Sequence, residues 1–433
     1  MGVTFHNGRA LNAEDVKYSL ERALLPSTRS SSALNYLGEV VGAEEVANGK
    51  RKDLPGVRVV DSDTVVITLR RPRGYFLGAL AYPTGFIVCR EAIEKNGGVL
   101  DERATVGTGP FKLLEYRRRA KVTLVAYELY HGGKPPLARI ERPIVLDSQT
   151  RHLMYENGEI DLTPISASDY LRDQKDAQLK QQLHRFPLAS VVYLCMHPKL
   201  VPAFRDIRVR RAFGEAIDKD EVIRVASHGL WTRADGLLPP GPPGANSELP
   251  KSTSDPESAK RLLAEAGFAG GRGFPRLTLT YSQGVPERSA MAQVVRSSLQ
   301  RNLGISIALQ EREAATFVTD RRDEKMPFYI GVWDSDYLDP QNTLSTLLRT
   351  GAPLNDFGYS NARFDSLVDR ADASSDQAAR VKLYQSAERI AMDDVALLPI
   401  YFGNTRLIVN PKVKDLKINL MGFLPHYTTR VAP

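Results

Sequence analysis

Between residues 332 and 340 the chain reads Val-Trp-Asp-Ser-Asp-Tyr-Leu-Asp-Pro, and no other stretch gathers as much chemistry into so few positions. Trp333 is one of two tryptophans, Tyr337 adds a second ring, and Asp334, Asp336 and Asp339 supply three carboxylates. An aromatic wall beside a carboxylate suits a cationic organic group, because the ring offers stacking area and the charge gains strength once water is expelled. A charge-assisted hydrogen bond to an ammonium contributes roughly 1.5 to 3 kcal/mol, enough to orient a ligand though not to hold it unaided. The competing assignment is structural: Asp336 caps a helix from 341 to 348 and Trp333 packs the core. Asp334 and Asp339 fit a structural role better, since Pro340 opens that helix. For Asp336 the residues alone leave both roles open. Trp231 and Tyr193 are secondary ligand candidates that serve equally well as plain core.

Other chemistry lacks its residues. The seven histidines stand isolated, with no H-x-H or H-E-x-x-H to place two imidazoles on one metal, so no built-in metal site is expected. No G-x-S-x-G elbow and no P-loop occurs, and Gly107-Thr108-Gly109 runs straight into Pro110, as a tight turn does. Cys89 and Cys195, the only cysteines, form no C-x-x-C. The chain thus reads as a non-enzyme without a cofactor. Its net charge of +7 is spread along its length, and the clusters Arg70, Arg71, Arg73 and Arg117, Arg118, Arg119 read as solvated turns, not as a nucleic-acid face. No run approaches the roughly 18 to 20 apolar residues of a membrane span.

The acidic loop needs a carrier. Phe328 to Val332 reads as a buried strand, and in open α/β sheets ligands meet the loops that leave the carboxyl ends of strands. A second apolar run, Ser190 to Met196, leads to a helix opened by Asp206 with Val209, Phe213, Ala216 and Ile217 at helical spacing. That succession marks a passage between domains. Upstream, Asn12 caps a helix to Arg22, Val57 to Leu69 makes two strands about Asp61-Ser62-Asp63, and Val106 to Tyr127 another pair. Ile140 to Leu146, Thr150 to Asn157 and Ile160 to Leu162 read as strand, helix, strand, a first parallel unit. Downstream, Gly236 to Pro250 is a Pro/Gly-rich loop, and Asp255 with Pro256 opens a helix stopped by Gly267. Strands at 277–281, 305–310 and 328–332 alternate with helices at 290–303 and 381–392. Leu397 to Phe402, with Pro399, fits an edge or crossing strand.

At 433 residues with 42% hydrophobic and 25% charged content, the chain has room for two lobes. The expected division is 1–192, with a small α/β subdomain at about 10–105, then 193–400, then a return over 401–433. Hinges are expected near Tyr193 to His197 and Pro399 to Gly403. Val3 to Arg9 reads as the middle of a β-meander, so an upstream segment is expected.

Six phrases then occur in order: FHNGRALNAEDVKYSLER, GVRVVDSDTVVITLRRP, VGTGPFKL, FRDIRVRRAFGEAIDKDEVI, DPESAKRLLAEAGF and WDSDYLDPQN. Together they resemble the extracytoplasmic solute-binding proteins of peptide/nickel-type ABC importers, family 5. The resemblance implies an α/β, two-lobed periplasmic binding protein-like fold of type II, with lobes joined by two crossings that close on a small solute. It also implies a periplasmic or extracytoplasmic monomer that delivers its ligand to the ABC permease and binds no nucleic acid. In peptide-binding relatives the acid of the W-x-x-D-Y-x-D-P phrase meets the ligand's α-ammonium, which makes Asp336 the ligand residue here and brings Trp333 and Tyr337 with it. His197 stands where family members often carry Asn, and Tyr130-His131 where they often carry Tyr-Trp. Arg288 lies near the place of the arginine that dipeptide binders use for a carboxylate, without motif support. A di- or oligopeptide is the first ligand reading; an opine, an oligosaccharide, a nickel chelate, or a role as a regulator's sensing domain are the alternatives.

Overall fold

A computed structural model of the chain describes residues 2–432. The chain forms two compact units, one running to His184 and resuming at Arg406, the other spanning Arg185–Thr405.

In the first unit, the helix Ala13–Leu24 begins where its punctuation says it should. The Asn12 carboxamide accepts from the Glu14 and Asp15 amides while Asp15 accepts the Asn12 amide, a reciprocal capping box. Its buried stripe, Leu20 and Leu24, packs with Leu37, Val40, Leu54 and Phe76. Strands β1 (Val57–Asp61) and β2 (Thr64–Ile67) pair antiparallel, and β3 (Phe111–Arg117), β4 (Lys121–Ala126) and β5 (Arg139–Pro143) form an antiparallel meander. The expected parallel unit at 140–162 is not formed. β5 stays on the meander, and after the helix Ser148–Glu156 strand β6 (Leu162–Pro164) pairs antiparallel with a strand from the chain's end. Apolar periodicity marks a strand without naming its neighbour. The first arginine cluster is neutralised locally, Arg70 on Glu44 and Arg71 and Arg73 on Glu39.

Two long strands carry the chain from unit to unit, β7 (Leu183–Met196) and, after β8 (Thr232–Arg233), β9 (Leu277–Ser282), β10 (Ile307–Arg312) and β11 (Phe328–Asp334), the strand β12 (Leu398–Val409). The unit boundaries therefore fall at 184/185 and 405/406, not at 192/193 and 400/401, and the expected hinge segments lie inside the second unit. The cause is that β7 is fully buried only from Ala189 onward, so its apolar half shows in the sequence and its mixed half does not. Of the two roles expected for Leu397 to Phe402, the structure gives it the crossing strand and not the edge. Pro399 sits second in a 12-residue strand, where a missing amide is tolerated.

The second unit's sheet runs β10-β9-β11-β7-β12, with β8 on β12 and β9 parallel to both β10 and β11. Beyond Thr405, Leu407–Val409 of β12 pair with β6, and β13 (Val413–Lys414) meets β14 (Arg430–Val431). Strand alternation splits the second unit's core in two. Val192, Leu194, Met196, Phe328 and Ile330 face one side with the helices Ile207–Ala216 and Pro286–Leu303. Val191, Tyr193, Cys195, Tyr329 and Trp333 face the other with Pro340–Leu348, Ala362–Ala373 and Gln377–Asp393.

Candidate functional site

β11 ends at Asp334, whose register partner is Ser190, and the acidic loop leaves from that carboxyl end. Three successive loop residues are tied down. The Ser335 amide donates to Ala189 O (2.8 Å), the Asp336 amide to Asn342 Oδ1 (2.9 Å) and the Tyr337 hydroxyl to Gln341 Oε1. Asp339, and not Asp336, caps the helix Pro340–Leu348 by accepting the Gln341 amide at 3.0 Å. Asp336 is half-buried on the loop, Tyr337 is buried, and Trp333 is 8% exposed with its indole Nε1 buried and unpartnered. An unmade hydrogen bond at a buried donor costs about 1 to 3 kcal/mol, a cost that a ligand or loop carbonyl would offset.

Trp333, the penultimate residue of β11, thus leads directly into the loop that carries Asp336 and Tyr337. Tyr193 is fully buried opposite Gly331, its ring so close that a Cβ at 331 would sit 2.3 Å from it, and burial raises its hydroxyl pKa. His197 lies at the far end of β7, its amide on Pro327 O and its Nε2 3.1 Å from Asp356 O. Five residues of β11 separate that end from Trp333, roughly 17 Å of strand. Burial lowers the His197 pKa and raises that of Asp356. Around them Arg321 Nε approaches Asp356 Oδ2 at 3.0 Å and the Tyr329 hydroxyl reaches Asp356 Oδ1 at 3.2 Å, a polar cluster centred on Asp356. Trp231 belongs to the opposite face of the sheet, stacked on Tyr401 with centroids 3.6 Å apart. Arg288 is in the first turn of Pro286–Leu303, Nε buried and unpartnered. Sequence proximity to a strand end cannot distinguish the two ends of a sheet or its two faces, and that is why His197 falls at the other end of β7 and Trp231 on the other face.

One residue went unseen. Arg380 is 1% exposed on the helix Gln377–Asp393 and donates Nη1 to Asp339 Oδ2 and Nη2 to Asp339 Oδ1, both at 2.9 Å. Its signal is a pattern: Arg380, Tyr384, Ala387 and Ala391 recur on one helical stripe and all are buried, so an arginine occupies a core position and must have an internal acid.

A cavity of about 340 Å³ in the second unit is lined by Arg211, Lys219, Asp235, Lys251 and Asp393, among others, and by none of the acidic loop. Its deepest charges answer one another. Lys219, its pKa lowered by burial to about 8, donates to Ala234 O at 2.8 Å and lies 3.6 Å from Asp235, which Arg233 also holds. In the first unit His152, Glu156 and Asp173 are spaced to share a cation. Arg172 already fills that role, with nitrogens 3.1 Å from Asp173 and from both imidazole nitrogens. A guanidinium at that place opposes a divalent ion.

Residues 1–354 match the model for bacterial extracellular solute-binding proteins, family 5 Middle. The chain is 29% identical over 434 residues to the dipeptide-binding protein DppE of Bacillus subtilis, covering 96% of this chain and 77% of that protein. It is 30% identical over 436 residues to the probable deoxycholate-binding periplasmic protein YgiS of Escherichia coli, covering 98% and 78%. Among solved structures it superposes on the murein tripeptide binding protein MppA of Escherichia coli with a TM-score of 0.84 at 24% identity, covering all of this chain and 86% of that one.

Proposed function

Because the chain belongs to the family 5 bacterial extracellular solute-binding proteins, we propose that it captures a short peptide outside the cytoplasm and hands it to the permease of an ATP-driven importer. The Asp336 carboxylate receives the peptide's α-ammonium, and Trp333 and Tyr337 wall the first residue. The observation that supports this reading is the anchored loop at the end of β11, which carries the half-buried Asp336 three residues beyond an indole whose N–H has no internal acceptor. The protein acts as a monomer, and the bound peptide leaves uncleaved. His197, Tyr193, Trp231 and Arg288 take structural parts in this scheme.

The similarity to a protein named for deoxycholate defines the competing reading, a non-peptide organic anion. Charge separates the two: an anion without an ammonium is repelled by Asp336, while a free peptide amine is attracted. Native mass spectrometry of the purified protein, followed by calorimetry with free-amine tripeptides, decides between them. Asp336→Asn should weaken a free-amine tripeptide by roughly 10- to 100-fold, the worth of one charge-assisted hydrogen bond. The melting temperature of the ligand-free protein should stay unchanged. Tight binding of a bile-salt-like anion, or an affinity indifferent to Asp336→Asn, would overturn the peptide assignment.

A further inference from the structure

We infer that Arg380, acting through Asp339, is the positioning residue that aims the ligand carboxylate of Asp336 without touching the solute; this rests on Asp336 being the ammonium acceptor. Every N–H of the guanidinium is already spent inside the protein. Nε donates to Ala371 O (3.0 Å), Nη1 to Gln377 Oε1 (2.9 Å) and Asp339 Oδ2 (2.9 Å), and Nη2 to Asp339 Oδ1 (2.9 Å) and the Tyr384 hydroxyl (3.4 Å). None of its five donors is left for a ligand.

The pair's partners lead to the site. Asp339 holds Arg380 and caps the helix Pro340–Leu348 in the same act, so the guanidinium sets where that helix begins. The first turn of the helix then reaches back to the loop: Asn342 Oδ1 accepts the Asp336 amide at 2.9 Å, and Gln341 Oε1 accepts the Tyr337 hydroxyl. Beneath, the Tyr384 hydroxyl donates to Asp372 Oδ1 at 2.5 Å, and Ser345 Oγ donates to the same oxygen at 2.9 Å, which locks the capped helix to Ala362–Ala373 and Gln377–Asp393. Arg380 thus stands three hydrogen bonds from the Asp336 backbone.

Stability is a poor reason for this arrangement. A buried ion pair replaced as a whole by apolar or neutral groups often costs nothing, because the desolvation of both charges disappears with their attraction. What a bidentate fork supplies that a packed methionine does not is direction. Holding a binding group within about half an ångström of its working position is what converts a contact into affinity.

The test is the double variant Arg380→Met with Asp339→Asn, which leaves no orphaned charge and keeps an asparagine cap. Calorimetry with trialanine and with N-acetyl-trialanine gives the ratio of the two affinities, a quantity that general loosening of the fold does not move. The double variant should lose the wild-type preference for the free amine by about tenfold or more. Adding Asp336→Asn should then change the ratio no further. If the double variant keeps the wild-type ratio while Asp336→Asn alone abolishes it, Arg380 is merely structural and the positioning inference falls by itself. If Asp336→Asn alone leaves the ratio unchanged, the ammonium assignment falls and the inference with it. Should the double variant fail to fold, Arg380→Lys reads the same ratio. It keeps the charge without the fork, so a reduced preference supports positioning and an unaltered one overturns it.

Discussion

The antiparallel pair β7 and β11 carries a polar cluster at each end, and the two are built in opposite ways. At the amino end of β11, Asp356 gathers His197 on its carbonyl and Tyr329 and Arg321 on its carboxylate, beside a core that includes Tyr193 and Cys195. At its carboxyl end the cations and carboxylates are divided: Arg380 and Asp339 are consumed below the surface, and Asp336 rides above them on a loop held by its backbone. Both ends offer an aromatic ring, a carboxylate and an arginine. Residue types alone therefore do not distinguish the two ends; what distinguishes them is that the acidic loop is tied through main-chain bonds.

The far end should answer to stability and not to ligand. Arg321→Met removes one partner of a buried pair and leaves Asp356 uncompensated, so it should cost about 3 to 5 kcal/mol in chemical denaturation. Ligand affinity of the folded fraction should be unchanged; a selective loss of affinity would move the site to that end.

Near the acidic loop a second carboxylate tests pH. Glu388, fully buried on the same helix as Arg380, accepts the Leu237 and Leu238 amides at 2.7 and 2.8 Å, and burial pushes its pKa up to about 7. The folded value lies above the ordinary 4.5, so the folded state keeps the proton longer than the unfolded chain. Its contribution is complete below pH 4.5 and is lost as the pH rises through 7. Glu388→Gln keeps the acceptor oxygen and removes the titration. Relative to that variant, the native protein should weaken by up to about 3 kcal/mol between those limits, read from denaturation midpoints at stepped pH. A flat difference would show that Glu388 stays ionised throughout.

The smallest effect belongs to the other face of the sheet. Trp231→Phe shortens the stack on Tyr401 and should cost about 1 kcal/mol, with affinity unaltered, since aromatic pairs contribute roughly 0.5 to 1.5 kcal/mol beyond burial. A loss of peptide binding in this variant would make Trp231 part of the site.

Much of this organisation could be read from residue order. Asn12, Asp206 and Asp255 all cap the helices they were expected to open, since a cap is a local bargain between one side chain and two or three amides. The two-unit α/β plan and the acidic loop at a strand end were legible for the same reason. Pairing was not: nothing local in Leu162 to Pro164 says that its partner is Leu407 to Val409. Nor does Asp339 announce Arg380, 41 positions away, although an arginine on an otherwise apolar helical stripe was a clue. His197 lies at the other end of β7 and Trp231 on the other face of the sheet, because strand position fixes neither which face nor which end a side chain serves.

The loop after β11 is bolted at both margins, by Ala189 and Asn342 on one side and by the Asp339–Arg380 pair on the other. Ser335 is anchored through its backbone amide, whatever its side chain, and Leu338 is exposed between the bolts. That makes the segment an exchangeable cartridge. Libraries varied at those two positions should retune which guest is accepted while the chassis keeps its shape, a practical starting point for a family of sensors sharing one scaffold.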